Sequence, residues 1–215
     1  MAEPAGPEAP GLSPHRLEAL TDGIFAVAMT LLVIDLKLPE RLAGAGDAEL
    51  GHALLELLPK GLSWVVSFFV LAFFWVGHVR TFGHLKRVDG PLIALTLAQL
   101  AFASLMPFSS SLSGEHGGAL VSQVVYSANM VALCVVALLV ATRVARHPEL
   151  VHAAPPPGRL AAARVRIVGL IVISLVAVAI AAVWPYGGNV AFVLMGAVSA
   201  ASHRVERRVA ARRDT

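Results

Sequence analysis

The sequence predicts an all-α integral membrane protein with six transmembrane helices per subunit. Two observations carry this. The chain has 215 residues, 57% hydrophobic and only 14% charged, against about 25% charged in a soluble domain. Its apolar residues are gathered into runs that approach the roughly 20 residues a helix needs to cross the hydrocarbon core. A third observation points to where function resides. The first run, from Arg16 to Asp35, has the length of a span yet carries Glu18, Asp22, Thr30 and Asp35. A carboxylate in hydrocarbon costs at least ~2.5 kcal/mol, so such a helix must turn these groups toward protein or water.

The first span is expected from about Pro14 to Leu36. Ser13 can cap it, and Pro14 suits its first turn. The second span is expected over Pro59–Phe82. The third covers Gly90–Leu112, with Pro107 near its outer end, and the fourth covers Ala119–Arg143. The apolar stretch from Ile167 to Ser202 is broken by Trp184-Pro-Tyr-Gly-Gly-Asn189. Proline and paired glycines make a tight turn there, which gives the fifth and sixth spans. Residues 1–13 are expected as a disordered cytoplasmic tail, 14–204 as the six-helix domain and 205–215 as a basic cytoplasmic tail. The first 14 residues hold four prolines and no apolar core, so no cleavable signal peptide is expected there.

Six spans place both ends of the chain on one side. Fourteen of the 17 Lys and Arg residues fall on that side, and only Lys37, Arg41 and Lys60 fall on the other. Short loops rich in Lys and Arg face the cytoplasm, so both termini are expected inside a cell inner membrane. The net charge of +3 reflects this orientation and not a nucleic-acid partner. Cys134 is the single cysteine, which excludes a disulfide framework and a cysteine metal site. His78 and His84 are too far apart for a ligand pair on one helix turn, so no metal is expected. No nucleophile motif, phosphate loop or dinucleotide motif is present, and no enzyme activity or cofactor is expected. The four serines after Pro107-Phe108 are expected to satisfy backbone at a helix end. Tyr186-Gly-Gly188 is not a potassium filter sequence.

On the first span, Gly23, Val27, Thr30 and Ile34 fall at i, i+4, i+7 and i+11, one continuous stripe. It is apolar except for one hydroxyl. Small residues in such a stripe also serve ordinary helix packing. Asp22 lies about 100° around the helix from Gly23. It is expected as a buried acid at the depth of His78 in Trp75-Val-Gly-His78, within hydrogen-bond reach of that imidazole. Arg16 and Asp89 are expected nearby. The group reads either as a clasp between the first two spans or as a proton relay.

Arg16-x-x-x-Leu20-Thr21-Asp22-Gly23 resembles the Arg-x-x-x-Phe-Ser-Asp-Gly signature of the transmembrane protein 175 family of potassium channels, in its prokaryotic single-repeat form. The resemblance continues through Thr30-Leu-Leu-Val-Ile-Asp-Leu-Lys-Leu-Pro39, Ser67-Phe68, Trp75-x-x-His78 and Leu105-Met-Pro-Phe108. It covers about residues 16 to 110. Leu20 and Thr21 depart from the signature while keeping its chemical type. The resemblance implies a homotetramer in the lipid bilayer, with the first helices around a central pore for potassium ions. By position it makes Val27 the inner constriction, Thr30 a hydroxyl layer and Ile34 an outer ring, with Gly23 on the same face. Arg16, Asp22, Trp75, His78 and Asp89 become an inner network that holds or gates the first helix. Val27 is smaller than the isoleucine or leucine common there, which implies a leakier pore. A proton channel or a small secondary transporter using Asp22 and His78 remains the alternative.

Overall fold

The computed structural model of the chain describes residues 13–38, 44, 46–153, 158–185, 187–195, 198, 200–202 and 204. The expected tails lie outside these residues, apart from Ser13. Helix α1 is Pro14–Leu31, and a 3-10 turn over Leu32–Asp35 extends it. Ser13 caps α1 by accepting the Arg16 backbone N–H at 3.4 Å, and Pro14 stands in the first turn, where no N–H is needed.

Helix α2, Asp47–Glu56, is a short element that apolar run lengths did not announce. Helix α3, Leu58–Phe82, is the second span. The third span is two helices, α4 over Gly90–Ser104 and α5 over Met106–Glu115. Pro107 explains the break. It has no N–H to donate, and its ring crowds the carbonyl four residues back. Helix α6, Leu120–Arg146, follows.

Helix α7, Arg159–Val183, starts well before the apolar run and takes Arg164 and Arg166 into the helix. It begins behind Gly158, whose φ of 82° suits glycine. The turn after α7 needs its two glycines because neighbours come close. A Cβ on Gly187 would lie 2.5 Å from the Trp184 ring, and one on Gly188 would lie 2.3 Å from Gln123 Oε1. A 3-10 segment over Gly188–Leu194 then leads into the sixth element. Its described residues Met195, Val198, Ala200–Ser202 and Arg204 are helical. Among the described residues, five helical segments are long and apolar enough to cross a membrane. The protein is an all-α, multi-pass membrane protein.

Two apolar clusters hold the bundle. The larger joins Phe25, Leu71, Phe74, Tyr126, Met130 and Ile173 from α1, α3, α6 and α7. The smaller joins Leu17, Phe82, Leu92, Val144 and Leu150 at the end where Arg80, Arg143 and Arg146 lie, the basic end. There the loop after α3 pairs with the loop after α6. Lys86 N–H donates to the Leu150 carbonyl at 2.7 Å, and His152 N–H to that of His84 at 2.9 Å. Lipid supplies no hydrophobic drive between helices, so small residues and hydroxyls count for more. The Ser67 hydroxyl donates to Ser110 Oγ at 2.8 Å and lies 3.1 Å from the Tyr126 hydroxyl, while Ser63 donates to the Ser110 carbonyl at 3.0 Å. These four buried groups tie α3, α5 and α6 together. Ser110 therefore bonds across helices, beyond the helix-end role expected of the serine run. Ser109 keeps that role, donating to the Met106 carbonyl at 3.1 Å.

Candidate pore-lining face and its supports

Helix α1 is packed on one side only. Leu17, Thr21, Phe25, Ala28 and Leu32 are buried, and Phe25 is 0% exposed. Gly23, Val27, Thr30 and Ile34 are all exposed, Val27 at 56% and Ile34 at 47%. At 100° per residue the centre of this stripe lies about 150° around the axis from the buried face. The protomer therefore leaves the stripe uncovered. Leu20 and Leu31 are exposed as well and widen its apolar margin.

Thr30 is the polar point of this face. Its hydroxyl donates to the Val27 carbonyl at 2.9 Å. With the proton turned back onto the helix, the oxygen lone pairs point outward. A hydroxyl with two acceptor lone pairs, fixed this way, offers oxygen to a cation and no hydrogen to an anion.

The supporting residues fall into separate links. Asp22 is exposed in the protomer, not buried, and accepts the Trp75 indole N–H at 2.8 Å. The expected Asp22–His78 hydrogen bond is not made. His78 is buried, stacks on Phe82 with ring centroids 3.8 Å apart, and its Nε2 has no partner. The reason is azimuth. Trp75 and His78 share a depth, but Trp75 lies on the open side of α3 and His78 on the packed side.

Asp89 belongs to another link. It caps α4 by accepting the Leu92 N–H at 2.9 Å and receives Arg143 Nε at 3.1 and 3.2 Å, with Arg143 Nη2 on the same carboxylate. That fork holds the Asp89 carboxyl below the usual carboxylate range, against a smaller opposing effect of burial. Arg16 is exposed in the first turn of α1, and its backbone N–H serves the Ser13 cap. The Asp89–Arg143 link escaped sequence reasoning. Its one local signal is Asp before Gly-Pro at a helix start. Among the described residues no three His, Cys, Asp or Glu side chains gather into a metal-binding group.

A family model described as the endosomal/lysosomal potassium channel TMEM175 matches residues 16–107, the stretch that holds α1, α3 and α4. A potassium channel of Streptomyces collinus is 37% identical over 122 residues, 55% of this chain and 58% of that protein. The crystal structure of a lysosomal potassium-selective channel TMEM175 homolog from Chamaesiphon minutus superposes with a TM-score of 0.71 at 27% identity, covering 88% of this chain and 97% of that one. Residues 16–107 thus match the TMEM175 family, and the fold resembles that of a TMEM175 homolog over most of the chain. The bovine endosomal/lysosomal proton channel TMEM175 is 31% identical over 107 residues, 46% of this chain and 22% of that protein. The chain thus spans less than two thirds of the curated relatives it matches. TMEM175 proteins are ion channels by name, not enzymes, and the shared stretch contains every residue of the α1 stripe.

Proposed function

We propose that the protein is a potassium-permeable, weakly selective cation channel of the bacterial inner membrane. It works as a homotetramer with both termini in the cytoplasm. The observation that carries this is the uncovered α1 stripe, in which one outward-facing threonine oxygen is set among apolar side chains. A single such helix cannot enclose a path, so the stripe requires other copies of itself. Four copies around an axis turn Val27 and Ile34 into apolar rings that gate by dewetting. They turn Thr30 into a ring of oxygens that replaces part of the hydration shell of a passing cation. Potassium sheds its shell more readily than sodium, which gives a modest preference.

The test is potassium flux into proteoliposomes, read by a pH-sensitive dye with a protonophore, for wild type and Thr30→Ala. Flux in the wild type with a changed potassium-over-sodium preference in the variant supports the reading. No flux from a well-folded oligomer defeats it. Asp22 and the partnerless His78 keep a proton pathway as the second reading. The reversal potential under a pH gradient separates proton from potassium flow.

A further inference from the structure

A cavity of about 420 Å³ opens between α3, α4, α6 and α7 at the basic end, away from the α1 stripe. Ligand sites span roughly 300–1,000 Å³. Small side chains leave the space: Gly77 of α3, Ala137, Ala141 and Ala145 of α6 and Ala163 of α7 line it. Phe74, Val140 and Ile167 complete a wall that is mostly carbon.

Two buried polar groups border the same space. His78 is 4% exposed and Gln99 is equally buried, and both line the cavity. His78 Nε2 finds no hydrogen-bond partner in the protein. A buried polar atom left unpaired costs free energy, so it calls for a partner from outside the chain. His78 stands about 6 Å from the basic end of α3, while Phe74 of α3 and Ile167 of α7 lie about 12 Å in. Arg80, His84 and Arg166 also line the cavity, and each already interacts with another group of the protein.

These features select an occupant by its chemistry. A charged ligand needs a counter-charge, and the three cations are already engaged. A pure hydrocarbon leaves His78 Nε2 unpaired. Water alone puts most molecules against carbon, short of the about three hydrogen bonds a buried water makes. We propose that the cavity binds one small uncharged molecule that is apolar over most of its surface and carries a single hydroxyl. The hydroxyl meets the His78 imidazole, and the apolar body runs deeper, between Phe74 and the walls of α6 and α7. A hydroxyl both donates and accepts, so it suits Nε2 in either role. The site is separate from the α1 stripe and does not depend on which ion passes there.

The experiment uses the purified full chain in detergent. Titration calorimetry compares 2-naphthol with naphthalene, which lacks the hydroxyl, and with 2-naphthoate, which is charged, each against detergent alone. The expected result is that 2-naphthol binds about tenfold tighter than naphthalene, the order of one buried hydrogen bond, and tighter than 2-naphthoate. His78→Phe keeps a ring to stack on Phe82 and should bring 2-naphthol down to the level of naphthalene. Gln99→Leu should leave the tenfold difference in place, and its loss there would overturn the assignment to His78. Ala163→Phe fills the apolar wall and should abolish binding of both neutral probes. No saturable binding overturns the proposal and leaves a water-filled cleft. Equal affinity for 2-naphthol and naphthalene overturns it by making the space a purely apolar void. Tighter binding of 2-naphthoate overturns it by assigning the site to the cations. A second measurement needs no variant. Wild type is photolabelled with an octanol that carries a diazirine. Adducts on α3 between Phe73 and Thr81, on α6 between Ala137 and Ala145, or on α7 between Leu160 and Ile167 support the site. Adducts confined to other surfaces defeat it.

Discussion

The indole N–H of Trp75 donates to the carboxylate of Asp22 at 2.8 Å, and this bond ties the open side of α1 to α3. Hydrogen bonds to charged groups are stronger than neutral ones, and this one fixes the azimuth of the helix that carries the stripe. Trp75→Phe keeps an aromatic ring, though a smaller one, and removes the donor. We expect a loss of about 1 kcal/mol, read as a lower melting temperature of the oligomer in detergent. Flux per oligomer should fall further than the melting shift alone explains, because α1 is freed to rotate. Unchanged melting and flux would show that packing alone positions α1.

Asp22→Asn separates charge from geometry. The amide oxygen still accepts the indole proton, so the oligomer should form with wild-type yield if the bond is all that matters. Our expectation is impaired assembly or gating, because the amide is a weaker acceptor than the carboxylate. Normal yield together with normal flux removes the charge from the mechanism.

How much of this was legible depends on the kind of information. The stripe on α1 could be read because helical periodicity fixes which residues share a face, and the exposure of Gly23, Val27, Thr30 and Ile34 agrees with that periodicity. Depth was legible too, since rise per residue places Asp22 opposite the Trp75–His78 stretch. Azimuth between two helices was not. It is set by packing among α1, α3 and α4, and it gave Asp22 to Trp75 while turning His78 inward. Asp89–Arg143 joins residues on different spans, and no local pattern reports such pairing. Helix α2 went unseen because its ten residues, half of them apolar, fall well short of a membrane span.

Val27→Leu should lower single-channel conductance. Val27 is more than half exposed on the stripe, so in the proposed oligomer a longer side chain extends into the central path and displaces nothing in the protomer. Folding and oligomer yield should match wild type for the same reason. An unchanged conductance would place the constriction elsewhere on the helix, with Leu31 and Ile34 the next exposed apolar positions.

Ser110→Ala tests the hydroxyl seam. It removes the bond from Ser67 and the contact with Ser63 Oγ, while the Ser110 carbonyl still accepts from Ser63. Bonds between membrane helices average about 0.6 kcal/mol each, so the cost should be about 1 kcal/mol with ion preference unchanged. A shift in preference would connect the seam to the conduction path.

The Asp89–Arg143 fork should set the acid limit of stability. Asp89 is held below the ordinary carboxylate pKa in the folded protein, chiefly by Arg143. A carboxyl depressed on folding contributes stability that is full above its unfolded pKa, about 3.9. That contribution is lost as pH falls through the lower folded value. Between pH 5 and 8 the contribution is therefore constant, and melting should not vary on account of this pair. Asp89→Ala removes both the cap and the fork. A cap is worth about 1 kcal/mol and a partly exposed pair at most about 1 kcal/mol, so the loss at neutral pH should be about 1–2 kcal/mol. Asp89→Asn keeps a capping oxygen and should lose only the fork, the smaller part. As pH falls below about 3.9 the gap between the Asp89→Asn and wild-type proteins should narrow. If they stay as far apart at pH 3 as at pH 7, the carboxylate charge is not what holds α4 to α6.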